Sequence, residues 1–134
     1  MLIKTYAAAL QSIQARTVTI EVNSTPGSYF QLVGLPDTAI KESQDRIISA
    51  IESSGYKFPG KRIVINMSPA DLRKEGAAYD LPLAIGILAA DGQIPNDLLE
   101  RYMIMGELSL DGTVRSIRGA LPIAIQAREE GFGG

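Results

Sequence analysis

The sequence of 134 residues contains no cysteine and no histidine. Their absence excludes disulfide bonds, thiolate nucleophiles, imidazole general bases and the usual zinc ligands, and it leaves carboxylates as the side chains suited to a metal. No apolar run approaches the roughly 20 residues of a membrane-spanning helix, and the N-terminus lacks the pattern of a secretory signal. We therefore expect a cytoplasmic chain without membrane contact and without a metal site.

The chain also has little net charge, because 13 basic side chains stand against 15 acidic ones for a formal charge of -2. A field this weak gives no general attraction to nucleic acid or anionic lipid, so any such binding has to be local. With 46% hydrophobic residues, a chain of this length is typical of one domain with one core.

Alternating or β-rich segments predict strands. Residues 17–22 alternate cleanly, and the Asn-Ser-Thr-Pro-Gly turn after them favours a hairpin with residues 29–33. A second hairpin is expected around Asp111 and Gly112, because glycine tolerates the positive φ of a tight turn. The first fifteen residues are ambiguous. The predicted strands are residues 17–22, 29–33, 62–67, 103–110 and 113–117.

Helical patterns lie between these strands. Asp37 is placed to cap a first amphipathic helix that ends near Gly55. Residues 81–90 have no polar face, which indicates a helix buried on several sides, and Asp80 is placed to cap it.

Residues 119–130 predict a closing helix with Leu121, Ala124 and Ile125 turned inward. The order of elements indicates an α+β domain in which helices pack on a mainly β sheet.

Candidate chemical sites each have a structural alternative. Gly60 and Lys61 are followed by Arg62 and do not form a phosphate loop, so we expect no nucleotide binding by this chain. Glu107 is placed in a strand, as a solvated charge or a partner of Arg115 or Arg118, although acid–base pairs among the carboxylates stay open. Those carboxylates are Glu75, Asp80, Glu107 and Asp111.

Basic residues flank the strand of residues 62–67 and could gather at one end of the sheet to contact phosphate. The alternative is ordinary solvated loop charge. The residues proposed for such an interaction are Lys61, Arg62, Arg73 and Lys74, with Lys57 nearby.

Four ordered blocks cover nearly the whole chain: GLPDTAIKESQDRI (34–47), INMSPADLRKEG (65–76), KEGAAYDLPLAIGILAADG (74–92) and GELSLDGTVRSIRGALPIAIQAREEG (106–131). Together they resemble the N-terminal domain of the magnesium-chelatase-like AAA+ proteins of bacteria, the YifB and ComM group. The residues that mark the motif are Gly76, Asp80, Gly106, Glu107, Asp111, Gly112 and Gly119.

The resemblance implies a ribosomal protein S5 domain 2-like fold spanning residues 1–134. It also implies an AAA+ ATPase module and a C-terminal chelatase-type module, neither of which is in this chain. Members of the group are expected to form hexameric rings that use ATP and Mg²⁺, and the ComM branch is linked to DNA branch migration during competence.

The same fold occurs in the proteolytic domain of Lon proteases and the C-terminal domain of RadA-type proteins. Laid on the Lon motifs, Ala78 falls at the nucleophilic serine and Leu121 at the catalytic lysine. Neither side chain can act in acyl transfer, and the neighbouring hydroxyl of Tyr79 has no lysine at the partner position.

The sequence therefore predicts a non-catalytic accessory domain that supports ring assembly, partner contact or DNA contact for a motor elsewhere in the parent protein. A stand-alone nucleic-acid-binding module and a residual Lon-like peptidase are the two alternatives.

Overall fold

A computed structural model describes every residue from Met1 to Gly134, with six strands and four helices. Two 3₁₀ turns, at Ala77–Tyr79 and Leu99–Arg101, separate the longer elements in the second half. None of the helices is both long and apolar enough to cross a membrane. The strands are β1 (Leu2–Gln11), β2 (Gln14–Thr25), β3 (Tyr29–Val33), β4 (Arg62–Ser68), β5 (Glu107–Leu108) and β6 (Val114–Arg115). The helices are α1 (Thr38–Lys41), α2 (Ser43–Ser53), α3 (Asp80–Ala90) and α4 (Ala120–Glu129).

The main sheet has the strand order β1-β2-β4-β3 and is mixed. β1 pairs with β2 and β2 with β4 in antiparallel fashion, whereas β3 runs parallel to β4. The predicted hairpin between residues 17–22 and 29–33 is therefore wrong, because β4 lies between β2 and β3. The ambiguous N-terminal segment forms β1, an edge strand. The α+β class is confirmed.

α3 packs on one face of the sheet, and α2 packs against α3. The main hydrophobic core lies between the sheet and these two helices. α3 is buried along nearly all of its length, as its sequence predicts. Gly86 allows this close approach, because a Cβ there would stand 2.7 Å from Cγ2 of Val22 in β2.

The opposite face of the sheet is covered at the β1–β2 end by α4. Ile123 and Ala127 are the buried residues of this helix, and Ile123 packs near Ala8 and Ala15. The predicted inward face is wrong: Leu121 is 72% exposed and Ile125 is 39% exposed. Ala124 is exposed as well.

Candidate functional site

The start of α3 is held by a buried ion pair rather than by a helix cap. Oδ2 of Asp80 accepts from Nε of Arg46 at 2.8 Å and from the amide of Leu108 at 3.1 Å, and Oδ1 accepts from Nη2 of Arg46 at 3.0 Å. Asp80 is 1% exposed. The prediction that it caps α3 is wrong, because Asp80 is itself the first helical residue and Tyr79 holds the cap position without a side-chain bond.

The loop before α3 is fixed to the loop that leads into α1. Asp37 caps α1 as predicted, accepting the Ile40 amide on Oδ1 at 2.9 Å. Its Oδ2 accepts the amide of Gly76 at 2.9 Å. Gly76 has a φ of 90°, so the chain can turn there into the 3₁₀ segment that carries Ala78.

Lys74 is completely buried, at 0% exposure. Its Nζ donates to the carbonyl oxygen of Gly34 at 2.5 Å and to that of Pro69. Burial lowers the pKa of this ammonium group, and the nearby charge of Asp71 opposes that shift. Lys74 is therefore neither a solvated loop charge nor part of a basic patch that could contact phosphate.

The other basic candidates do not gather in one place. Lys61 and Arg62 lie at the start of β4, whereas Arg73 follows its far end. β4 itself is about 20 Å long, and the two positions lie at its opposite ends. Lys61 pairs with Asp91 at 2.8 Å, Arg73 pairs with Glu75 at 3.0 Å, and Arg62 lies over the ring of Tyr29 at 5.6 Å.

A cavity of about 860 Å³ lies beside Ala78. Three walls enclose it: the loop and 3₁₀ turn that lead into α3, the end of β1, and the segment that joins β6 to α4. Its lining is about half apolar, with Met105 and Ile123 among the larger apolar side chains. The volume is within the range of about 300–1,000 Å³ that is typical of ligand clefts.

The cavity contains few groups able to do chemistry. Tyr79 is buried, its hydroxyl donates to the carbonyl oxygen of Ala8 at 3.1 Å, and burial raises its pKa well above the ordinary value. Ser116 is the one aliphatic hydroxyl in the lining, and no lysine lies there. Leu121 is not part of the lining, so only Ala78 of the two Lon-motif positions faces this space.

Two charged side chains of the lining have no partner within the protein. Glu107 of β5 lies opposite Arg115 in the β5–β6 pairing but forms no ion pair with it, and Nε of Arg115 donates to Ser109 at 2.7 Å. Beyond the hydrogen bond in the buried ion pair, the charge of Glu107 contributes to the raised pKa of Arg46 without forming a hydrogen bond or ion pair. Arg118 forms no hydrogen bond or ion pair either. No group of three or more acidic side chains is arranged to hold a metal ion.

Glycines lie at the turns and close contacts of the segments around the cavity. The second hairpin is confirmed: Gly112 has a φ of 89°, and Asp111 accepts the Thr113 amide at 2.9 Å, which lowers the pKa of the Asp111 carboxyl. Gly106 bonds to the 3₁₀ turn through the Ala78 carbonyl at 2.8 Å. Gly119 precedes α4 with a φ of 75° and lies against the side chain of Leu10.

Sequence reasoning missed the partner of Asp80 and the wall formed by β1. Arg46 is one turn from the buried residues Ser43 and Ala50 of α2, a spacing that marks the border of the buried face. The alanines of β1 gave no clear strand signal.

Comparison with known proteins gives a family match over most of the chain. The family model described as subunit ChlI of Mg-chelatase matches residues 18–134. The uncharacterized protein YifB of Salmonella typhimurium is 46% identical over 129 residues, which cover 94% of this chain and 25% of that protein. The competence protein ComM of Haemophilus influenzae is 46% identical over 127 residues, which cover 92% of this chain and 25% of that protein.

Lon protease 2 of Bacillus subtilis is a more distant relative, 30% identical over 91 residues that cover 68% of this chain and 16% of that protein. The chain spans about a quarter of the length of YifB and ComM. The resemblance drawn from the four sequence blocks is thus confirmed, and the chain belongs to the family of the Mg-chelatase subunit ChlI, with YifB and ComM among its relatives.

Proposed function

We propose that this chain is a non-catalytic accessory domain of a magnesium-chelatase-like AAA+ ATPase, with the ribosomal protein S5 domain 2-like fold. The observation that carries the proposal is the methyl group of Ala78 beside the cavity. A methyl group cannot attack a carbonyl carbon, and no lysine lines the space to act as a base. The cavity therefore suits binding better than acyl transfer.

The nearby reactive groups support the same conclusion. The amine of Lys74 is held by two backbone carbonyls away from the cavity, and the phenol of Tyr79 is neutral and donates to Ala8. The lining around Ser116 contains no lysine or histidine to act as its base. A residual peptidase would have to use one of these groups.

In the parent protein, the domain is proposed to support a cytoplasmic, hexameric motor that consumes ATP with Mg²⁺. It would contribute to ring assembly or to contact with a partner or DNA, in keeping with the name of the competence protein ComM. The dispersed and largely paired basic residues give no specific support to a stand-alone nucleic-acid-binding module.

Incubation of the chain with reduced, carboxymethylated lactalbumin in buffer without ATP tests the non-catalytic assignment. Mass spectrometry should find the substrate intact. Peptide products that disappear in Tyr79→Phe or Ser116→Ala, with the fold preserved, would establish a peptidase instead.

Calorimetric titration with ATP and Mg²⁺ tests the assignment of nucleotide chemistry to other modules. Because the chain has no phosphate loop, no saturable heat is expected. A clear binding isotherm would contradict this part of the proposal.

A further inference from the structure

The backbone of β1 has an open edge at the cavity. Met1 and Ser24 exchange both backbone hydrogen bonds, at 2.7 and 3.2 Å. Since bonded and non-bonded pairs alternate along an antiparallel ladder, odd-numbered residues of β1 bond to β2 and even-numbered residues direct their N–H and C=O groups away from it.

Protein atoms cover these outward groups only in part. The carbonyl of Tyr6 accepts the amide of Ile104 at 2.7 Å, in a segment that runs parallel to β1. At Ala8 the covering groups are side chains: Sδ of Met105 at 3.4 Å from the amide and the hydroxyl of Tyr79 at 3.1 Å from the carbonyl. At Leu10 no group of the protein bonds to either atom.

Residues 103–105, which cover part of this edge, leave β1 because the chain turns there toward the 3₁₀ turn before α3. The amide of Gly106 donates to the carbonyl of Ala78 at 2.8 Å, and its own carbonyl accepts the amide of Leu81 at 3.0 Å. The place that a continued strand would occupy beside Leu10 is the cavity, whose lining includes residues 8–11 of β1.

The charges around this place suit an uncharged polypeptide rather than a polyanion. Asp37 accepts backbone amides with both oxygens, and Arg73 and Glu75 neutralise each other. One unpaired anion and one unpaired cation remain, on Glu107 and Arg118. Their opposite signs give no net attraction for a phosphate backbone.

We infer that the cavity binds an extended segment of another protein, rich in small apolar residues, which adds as a short strand to the open edge of β1 at Leu10. The segment continues the direction of residues 103–105, its backbone pairs with Leu10, and its side chains contact Ala78, Met105 and Ile117. Strand addition of this kind takes its affinity from main-chain hydrogen bonds and its selectivity from side-chain pockets. The inference deepens the proposed accessory function and rests on it.

Fluorescence anisotropy with the whole chain and a labelled Gly-Ala-Val-Ala-Val-Ala-Gly amide is the test. Saturable binding is expected, and the same peptide with proline in place of both valines should not bind, because proline has no N–H. Absence of binding by the first peptide, or equal binding of both, would overturn the inference. Saturable binding of a labelled oligothymidine, used instead of the peptide, would also overturn the inference.

Variants locate the binding at the open edge. Leu10→Pro removes the outward N–H without touching the ladder to β2, and Leu10→Ala is the matched control that keeps it. Affinity should fall about fivefold further in Leu10→Pro than in Leu10→Ala, the equivalent of one net hydrogen bond of about 1 kcal/mol. Ala78→Phe, which fills the cavity, should abolish binding, whereas Ala124→Phe on the exposed side of α4 should not.

Circular dichroism of each variant confirms that the fold is kept. If Leu10→Pro unfolds, the Ala78→Phe and Ala124→Phe pair still decides the outcome, and equal affinity of these two variants would refute the site. Mass spectrometry of the peptide after incubation with the chain separates the two proposals. Cleavage of the peptide contradicts the non-catalytic function. An intact peptide that shows no binding by anisotropy contradicts only the strand-addition site.

Discussion

Arg46 and Asp80 connect three elements of the fold through a single carboxylate. Arg46 lies on α2, Asp80 begins α3, and the same carboxylate holds the amide of Leu108 in β5. The arginine side chain is 23% exposed and the aspartate side chain 1% exposed. The hydrogen bond to Asp80 raises the pKa of the Arg46 guanidinium, and the pair positions the 3₁₀ turn that carries Ala78.

Asp80→Asn should therefore destabilise the chain strongly. The substitution keeps the volume but leaves the Arg46 guanidinium without its counter-ion, and breaking a buried pair from one side costs about 3 kcal/mol. Urea unfolding followed by circular dichroism measures the loss. Glu75→Gln is the matched control, because its pair with Arg73 is exposed and should contribute less than about 1 kcal/mol. Equal small effects in both variants would show that the Arg46–Asp80 pair does not hold the fold together.

Gly34 is the residue at which a side chain is least tolerated. Its φ is 105°, and a Cβ there would stand 2.0 Å from the carbonyl oxygen of Met67 in β4. Gly34→Ala should cost about 2–4 kcal/mol, since backbone strain and steric overlap add. In Gly55→Ala the φ of 87° is similar but no atom lies within 4 Å, so a smaller loss of about 1–2 kcal/mol is expected. Thermal unfolding of the two variants compares these losses, and equal values would contradict the overlap.

The sequence predicts elements whose pattern reports burial directly. α3 was expected over residues 81–90 and spans Asp80–Ala90, because a helix without a polar face has to be buried wherever it packs. The hairpin at Asp111 and Gly112 follows in the same way from the conformation that its turn residues favour.

The pairing of strands that are distant in the sequence could not be predicted, because no local pattern encodes it. The turn after β2 indicates a hairpin, yet β4 lies between β2 and β3 in the sheet. The location of Ala78 in the candidate site was predictable from the resemblance to Lon. The open edge at Leu10 was not, because it depends on where residues 103–105 leave β1.

The burial of the Lys74 side chain could not be predicted from the local sequence either. A lysine between an arginine and a glutamate reads as solvated, and its backbone partners, Gly34 and Pro69, come from two other loops. Acetylation of the folded chain with an N-hydroxysuccinimide ester should therefore modify Lys57 and the other exposed lysines and leave Lys74 unmodified.

Peptide mapping by mass spectrometry reads out this pattern, and unfolding in urea should make Lys74 as reactive as the others. Labelling of Lys74 at the rate of Lys57 in the folded chain would show that its amine reaches solvent, and the loop would then require a different arrangement.

The last prediction concerns Tyr79, whose phenol is buried against Ala8. Because burial raises the pKa of this group above the ordinary value of 10.0, the unfolded chain loses the proton above pH 10 while the folded chain keeps it. The stabilising contribution of the hydroxyl is thus fully present below pH 10 and declines above it, by up to about 1.4 kcal/mol per pH unit.

Near pH 8, Tyr79→Phe should be about 1 kcal/mol less stable than the wild type, since the Ala8 carbonyl loses its donor. Above about pH 11 the order should reverse. Urea unfolding at several pH values measures the difference, and Tyr56→Phe, at an exposed ring, is the control that should show no reversal. A difference between wild type and Tyr79→Phe that is constant from pH 8 to the alkaline limit of folding would mean that the phenol is not buried as described.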